Sequence, residues 1–256
     1  MPVVALAGGQ GGSWRAGDVV LKPVDMDLPE LEWHATVYSQ IACEGFRIAR
    51  FLHAADGALS VDGWCATEYV DGEHRQRHWP DVIAVGERFN AALDGIPRPA
   101  FLDQRANWWA IGDRAAWDEI PAADFVHEAH VSRLAAARRP IAARSQLIHG
   151  DLTGNVLFDD MLPPAVIDFS PYWRPVHFAT AVVVADALVW EGADARLLDA
   201  VAHIADFGQY LVRALIFRLV TAALFEASST ASPPGNASEL WTPAVDLACE
   251  LAASRG

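Results

Sequence analysis

The hydrophobic pattern changes period once, near Gly72, and that change limits the folds open to the chain. Before it, apolar residues come in short β-rich runs, at 3–7, 18–24, 51–53 and 64–70, around one helical stretch at 29–41. Asp27 is placed to cap that helix with Glu30 three residues on, and Leu31, His34, Tyr38 and Ile41 recur at helical spacing. After the turn dipeptide Asp71-Gly72 the chain reads as long helices, at 81–93, 116–138, 176–190, 197–207, 209–227 and 240–253. The segment 227–236, rich in Ser, Ala and Pro, reads as a loop. This order predicts an α+β fold of two lobes, a small sheet lobe over residues 1–72 and a larger, mainly helical lobe over 73–256.

Composition narrows the partners. With 52% hydrophobic residues over 256 positions, the chain has the material for a substantial core. A net charge of −14, from 19 Lys and Arg against 33 Asp and Glu, leaves no cationic cluster to neutralise phosphates, so no nucleic-acid partner is expected. The same imbalance favours a cationic small molecule. Cys43, Cys65 and Cys249 are odd in number and widely spaced, which fits reduced core thiols and neither a disulfide framework nor a zinc site. The first residues carry no basic segment, and the longest apolar stretch, 179–190, is too short to span a bilayer and contains Asp186. No membrane association and a cytoplasmic location are therefore expected.

One β-like island interrupts the helical lobe, at 146–158 and 165–169, joined by the turn Met161-Leu162-Pro163-Pro164. It holds His149-Gly150-Asp151-Leu152-Thr153-Gly154-Asn155 and then Val166-Ile167-Asp168-Phe169. Two acids and an amide on a strand scaffold are what phosphoryl transfer asks for. One carboxylate orients an acceptor hydroxyl and takes its proton, and oxygen ligands hold Mg²⁺ against the phosphates. In the first lobe, Lys22 alone interrupts the apolar strand Val19-Val20-Leu21-Lys22-Pro23-Val24, shortly after a glycine-rich stretch from Gly8 to Ser13.

The order H-x-D, then N, then an apolar turn and D-F resembles the kinase catalytic loop and its metal-binding segment. Gly150 stands where protein kinases carry arginine and Ser170 where they carry glycine, which makes the chain similar to the aminoglycoside phosphotransferase and choline kinase family. The resemblance implies a bilobal protein-kinase-like fold and transfer of the γ-phosphate of ATP or GTP, with Mg²⁺, to a hydroxyl of an aminoglycoside, amino sugar, amino alcohol or related molecule. It implies Asp151 as catalytic base, His149 as loop organiser, and Asn155 and Asp168 as metal ligands. Gly9, Gly11, Gly12 and Ser13 would cover the phosphates, Lys22 would pair with them, and Glu32 would partner Lys22, with Glu30 closing the capping box. Glu68, Tyr69 and Val70 would form the hinge facing the nucleobase, and Tyr172, Trp173, Arg174 and Asp186 would shape the acceptor site.

The chain departs from the family pattern at one point. Asn155 follows Asp151 by four positions where kinases use five, and Gly154 is the residue that would let the backbone tighten to compensate. The short loop motivates an alternative, a catalytically silent pseudokinase serving as a nucleotide-binding or sensing module. Retention of Lys22, Asp151 and Asp168 argues against it.

Overall fold

A computed structural model describes residues 2–6, 12–125, 129–228 and 237–254. Its first part is an antiparallel sheet and one helix. Val3–Ala5 (β1) pairs with Trp14–Ala16 (β2), and Gly17, at φ +64°, turns the chain into Val19–Pro23 (β3). The hairpin expected between 3–7 and 18–24 thus has an extra strand inside it. Alternation of Trp14, Arg15 and Ala16 lets this segment add to the edge of β3.

Leu28–Gln40 (α1) follows, capped by the Asp27 side chain, which accepts the Glu30 N–H at 2.9 Å. Its buried face is Leu31, His34, Val37 and Tyr38, close to the expected stripe. Arg47–Ile48 (β4), Phe51–Leu52 (β5), Ser60–Val61 (β6) and Trp64–Glu68 (β7) complete the first part of the chain. The sheet runs β1-β2-β3-β7-β5, with β6 paired to β7. Gly72, at φ +140°, lies against Leu157, where an added Cβ would come 3.0 Å from the Leu157 Cβ.

The rest is helical around a small β centre. Trp79–Ala92 (α2), Trp108–Ala116 (α3) and Ala129–Ala137 (α4) precede four short strands, and His177–Trp190 (α5), Phe207–Ser228 (α6) and Ala237–Ala253 (α7) follow them. The single helix expected over 116–138 is broken, because Pro121 removes a backbone donor and starts a 3-10 turn at Ala122–Asp124. The helix expected over 197–207 is a 3-10 stretch, Ala195–Val201, with Asp194 as its cap. The sequence reading missed α3, whose N-cap Asn107 accepts the Ala110 N–H at 2.9 Å. Its Gly112 is needed for close packing: a Cβ there would stand 2.8 Å from the Phe217 carbonyl of α6. The core is centred on α5 and α6, each buried over most of its length. Among the described residues no helix is long and apolar enough to cross a membrane.

The β centre is two small sheets. Gln146–His149 (β8) pairs with Pro171–Arg174 (β11), while Val156–Leu157 (β9) pairs with Ala165–Val166 (β10), which also runs parallel to β4. The chain therefore passes from one sheet to the other at residues 150–155 and returns at 167–170. Two connections between the same pair of sheets must lie side by side.

Candidate active site

The two connections are cross-bonded. Gly150 N–H donates to the Ser170 carbonyl at 2.9 Å, and Ile167 N–H donates to the Asn155 carbonyl at 3.0 Å. Between them lies His149, fully buried, with its Nε2 at 3.3 Å from the Ile167 carbonyl and its Nδ1 at 3.2 Å from the Asp151 N–H. One ring nitrogen donates and the other accepts, so the imidazole is neutral. Burial pushes its pKa down to about 4, against the pull of Asp151. Asn90 Oδ1 accepts the His149 backbone N–H at 2.8 Å and anchors the strand end.

The shortened loop closes as a tight turn. Gly154 adopts φ +77°, Asn155 N–H donates to the Leu152 carbonyl at 2.9 Å, and Asn155 Nδ2 donates to the Asp151 carbonyl at 2.6 Å. The glycine absorbs the missing residue, since a left-handed φ costs it little. With its amide nitrogen so held, the side-chain oxygen of Asn155 has no partner among the described residues.

Asp168 sits at φ +49°, a strained conformation that short polar side chains tolerate best. Phe169, buried beside it, holds the turn: its ring lies 5.6 Å from His149, 5.3 Å from Phe89 and 5.5 Å from His34. The Asp168 carboxylate is half exposed and forms an ion pair with Lys22 of β3. This joins β3 to the loop that follows β10.

The partner expected for Lys22 was Glu32, and the structure corrects this. Glu32 is exposed on α1, and Lys22 meets Asp168 instead. Glu30 does not return to the cap either, because it shares the His34 face of the helix and bonds Arg105, which also donates to the Pro171 carbonyl at 2.9 Å. Burial raises the Glu30 carboxyl, but hydrogen bonds from His34 and Arg105 outweigh it and hold the pKa below the usual value.

Of the expected phosphate loop, Gly9 and Gly11 lie outside the described residues. Gly12 abuts Pro23 of β3, and the Ser13 carbonyl accepts the Leu6 N–H at 2.9 Å. At the expected hinge, Tyr69 gives its N–H to the Asp18 carbonyl at 2.8 Å and its ring to the Arg15 guanidinium at 3.4 Å, so its amide is not free for a base. Glu68 ends β7, opposite Val19, its carboxylate 3.3 Å from the Arg50 N–H, and Val70 follows two residues before Gly72.

The expected acceptor residues are mostly structural. Arg174 makes a bidentate contact to the buried Asp113, with Nη2 at 2.7 Å and Nε at 3.0 Å, and reaches Glu119 at 2.5 Å. Its donors are spent in the fold. Tyr172 is buried over Gly150, with its ring 5.8 Å from Phe217, and Trp173 is half-buried against the core. Asp186 is only 2% exposed and cannot meet a ligand directly. It binds Arg218 of α6 through two contacts, Nε at 2.7 Å and Nη2 at 2.6 Å.

Arg218, which sequence reasoning did not single out, contacts the candidate base. The same Nη2 reaches Asp151 Oδ1 at 2.7 Å, so one guanidinium bridges the candidate base and the buried Asp186. Burial works against its charge, but the Asp186 and Asp151 carboxylates prevail and hold its proton well above the ordinary arginine range. Asp151 Oδ2 has no partner among the described residues. Among those residues no group of three or more His, Cys, Asp and Glu forms a metal cluster. The available set is Asp168 and the Asn155 amide oxygen, hard donors in the small number Mg²⁺ takes from protein when phosphates and water supply the rest.

A small antiparallel sheet, a larger helical part and two cross-bonded loops near their junction make a bilobal, protein-kinase-like α+β fold. A profile of the phosphotransferase enzyme family matches residues 9–174, well over half the chain, and the chain belongs to that family. Solved structures agree in fold over nearly the full length. An aminoglycoside phosphotransferase from Alicyclobacillus acidocaldarius is 17% identical, with 98% of this chain and 91% of that chain covered and a TM-score of 0.62. A thermostable aminoglycoside phosphotransferase crystallised with AMP-PNP and hygromycin B is 15% identical, covering 98% and 94%, at TM-score 0.63. A spectinomycin phosphotransferase with ADP and spectinomycin is 14% identical, covering 98% and 92%, at 0.54. Among curated proteins, a phosphoribosyl imidazole-carboxamide isomerase of Nitrobacter hamburgensis is 30% identical over 120 residues. The match spans 46% of this chain and 45% of that protein, so the chain covers under half the length of this curated relative, and the match transfers neither fold nor activity.

Proposed function

We propose that the protein is a Mg²⁺-dependent phosphotransferase that moves the γ-phosphate of ATP or GTP to a hydroxyl of a small molecule. The observation that carries this reading is the cross-bonded pair of connections, which hold Asp151 and Asp168 on adjoining turns with Lys22 at Asp168. Nucleotide complexes among the structural neighbours, with AMP-PNP, ADP and AMP, support a nucleotide as the phosphate donor.

In this reading the acceptor hydroxyl donates its hydrogen bond to Asp151 Oδ2, while Arg218 holds Oδ1 and fixes the carboxylate plane. The acceptor oxygen forms a bond to the γ-phosphorus as the bond to the β,γ-bridging oxygen breaks. The hydroxyl proton passes to Asp151, and the products are a phosphate ester and a nucleoside diphosphate. Asp168 and Asn155 would hold Mg²⁺, which when bound offsets charge on the phosphates. Lys22 guards Asp168 in the free chain and is placed to serve the α and β phosphates. Catalysis is then chiefly positioning and charge stabilisation.

Closure of the short loop by Gly154 and Asn155 supports this reading over a catalytically silent nucleotide-sensing module, which the short loop motivated. Transfer of labelled γ-phosphate to a hydroxyl panel tests the choice. Asp151→Ala is expected to abolish transfer and leave Mg·ATP binding intact, and turnover equal to wild type would sink the assignment.

A further inference from the structure

Asp186 and Arg218 form a charged pair inside the core. Asp186 stands in α5 beside the buried Val184, Ala185 and Ala187, and Arg218 in α6 between the buried Phe217 and Leu219. Taking two charges out of water is costly, and well-packed apolar residues of similar size often hold such helices together as well or better. Stability is therefore a poor account of this pair, and its geometry offers another.

The guanidinium is engaged on one edge. Nε and Nη2 meet Asp186 Oδ1 and Oδ2 at 2.7 and 2.6 Å, a side-on fork in which one arginine edge matches one carboxylate. The same Nη2 also donates to Asp151 Oδ1 at 2.7 Å. Nη1 has no hydrogen-bond partner among the described residues, and neither has Asp151 Oδ2. Burial raises the Asp186 carboxyl above its ordinary value, but both its oxygens accept from an arginine, which keeps its charge, so the group serves as a carboxylate.

An arginine between two carboxylates has two ways to settle. In the one seen here its edge lies on Asp186, and Asp151 keeps an open oxygen. In the other its end would close on Asp151 as a second fork, with Nη2 on Oδ1 and Nη1 on Oδ2. Oδ2 would then accept from the guanidinium instead of from a hydroxyl, and the carboxylate would have no position from which to take a proton. Among the described residues, the contacts that hold the guanidinium in the first arrangement are those to Asp186.

We propose that Asp186 is a positioning residue for the phosphotransfer reading, on which this inference rests. It grips Arg218 by its edge, so that Arg218 orients Asp151 through Oδ1 and leaves Oδ2 open to the acceptor hydroxyl. Without Asp186 the same arginine becomes a block on the base.

The test compares wild type, Asp186→Asn and the double variant Asp186→Leu, Arg218→Met, in which apolar side chains of similar size replace the pair. Urea unfolding gives the folded fraction. Release or transfer of labelled γ-phosphate from Mg·ATP, to water and to a hydroxyl panel, then gives kcat and KM per folded molecule. Asp186→Asn is expected to lower kcat roughly tenfold or more with KM for Mg·ATP unchanged. The double variant, although it carries more changes, should be more active than the single one, an order that a merely structural pair would not produce. A crystal structure of Asp186→Asn should show Arg218 on both oxygens of Asp151, and because asparagine is isosteric this decides the geometry whether or not the double variant folds. Wild-type kcat in Asp186→Asn, a folded double variant no more active than the single one, or an Arg218 that still leaves Oδ2 open overturns the inference. If instead the wild type is not stabilised by Mg·ATP and moves its phosphate to no acceptor, the phosphotransfer reading fails, and the crystal structure still decides whether Asp186 keeps the fork off Asp151.

Discussion

Gly150 offers the sharpest test of how local packing sets the active loop. A Cβ built there would stand 2.2 Å from Tyr172 Cδ2 and 2.5 Å from Cε2, more than 1 Å inside ordinary contact. The Tyr172 ring cannot retreat, because it is 9% exposed and edge-on to Phe217 at 5.8 Å. Gly150→Ala must therefore move β11 or the loop, and overpacking of this kind costs about 3 kcal/mol, the upper end for small-to-large changes. In a domain of this size that lowers Tm by roughly 6–12 °C. The assay is urea unfolding of Gly150→Ala, Tyr172→Ala and the double variant, read as midpoint shifts at constant m. Once the ring is gone the methyl group has room, so Gly150→Ala in the Tyr172→Ala background should cost under about 1 kcal/mol, a coupling of about 2 kcal/mol. Equal costs in the two backgrounds would refute the steric argument and leave the glycine unexplained by Tyr172.

Three further outcomes are expected. Lys22→Met should raise the KM for nucleotide roughly ten- to hundredfold, the worth of a charge-assisted hydrogen bond, and steady-state kinetics with a fixed acceptor would show it. Asp113→Ala should cost about 3–5 kcal/mol, because it leaves Arg174 buried without its bidentate partner, while kcat per folded molecule stays unchanged; a raised acceptor KM would restore Arg174 to the acceptor site. Below pH 6.5 the unfolded chain protonates His149 and the folded chain does not until about pH 4, so stability should fall with pH across that window. The loss attributable to this group approaches about 3 kcal/mol, and His149→Gln should flatten that part of the profile of urea midpoints.

The two candidate loops, 149–155 and 166–169, were legible because their residues are contiguous: a linear pattern survives whatever the rest of the chain does. Pairings across the fold were harder to read. Glu30 and Glu32 differ by two positions on one helix, and the buried stripe of Leu31, His34 and Tyr38 already put Glu30 on the inward side, one turn from His34. Even so, the inward Glu30 bonds Arg105, and the carboxylate that meets Lys22 is Asp168, 146 positions away in sequence. The break at Pro121 was visible in the sequence, and α3 was obscured by a glycine that serves packing on α6 instead of ending a helix. Arg218 had a signal too. It is a lone cation within the apolar stretch 214–220 of α6, and Asp186 is a lone acid within the apolar run 178–190 of α5. Isolated opposite charges on two buried helices imply each other, since neither is tolerable unpaired.

That pair also explains why the site needs so few exposed residues. The two connections between β8, β9, β10 and β11 fix the backbone of the loops, with Gly150 required for space and Gly154 for its φ, but a backbone alone does not aim a carboxylate. Asp186 clamps Arg218 through both nitrogens on one side of the guanidinium, which leaves it a single orientation, and Arg218 in turn holds one oxygen of Asp151. The orientation of the Asp151 carboxylate is thus set from the core of α5 and α6.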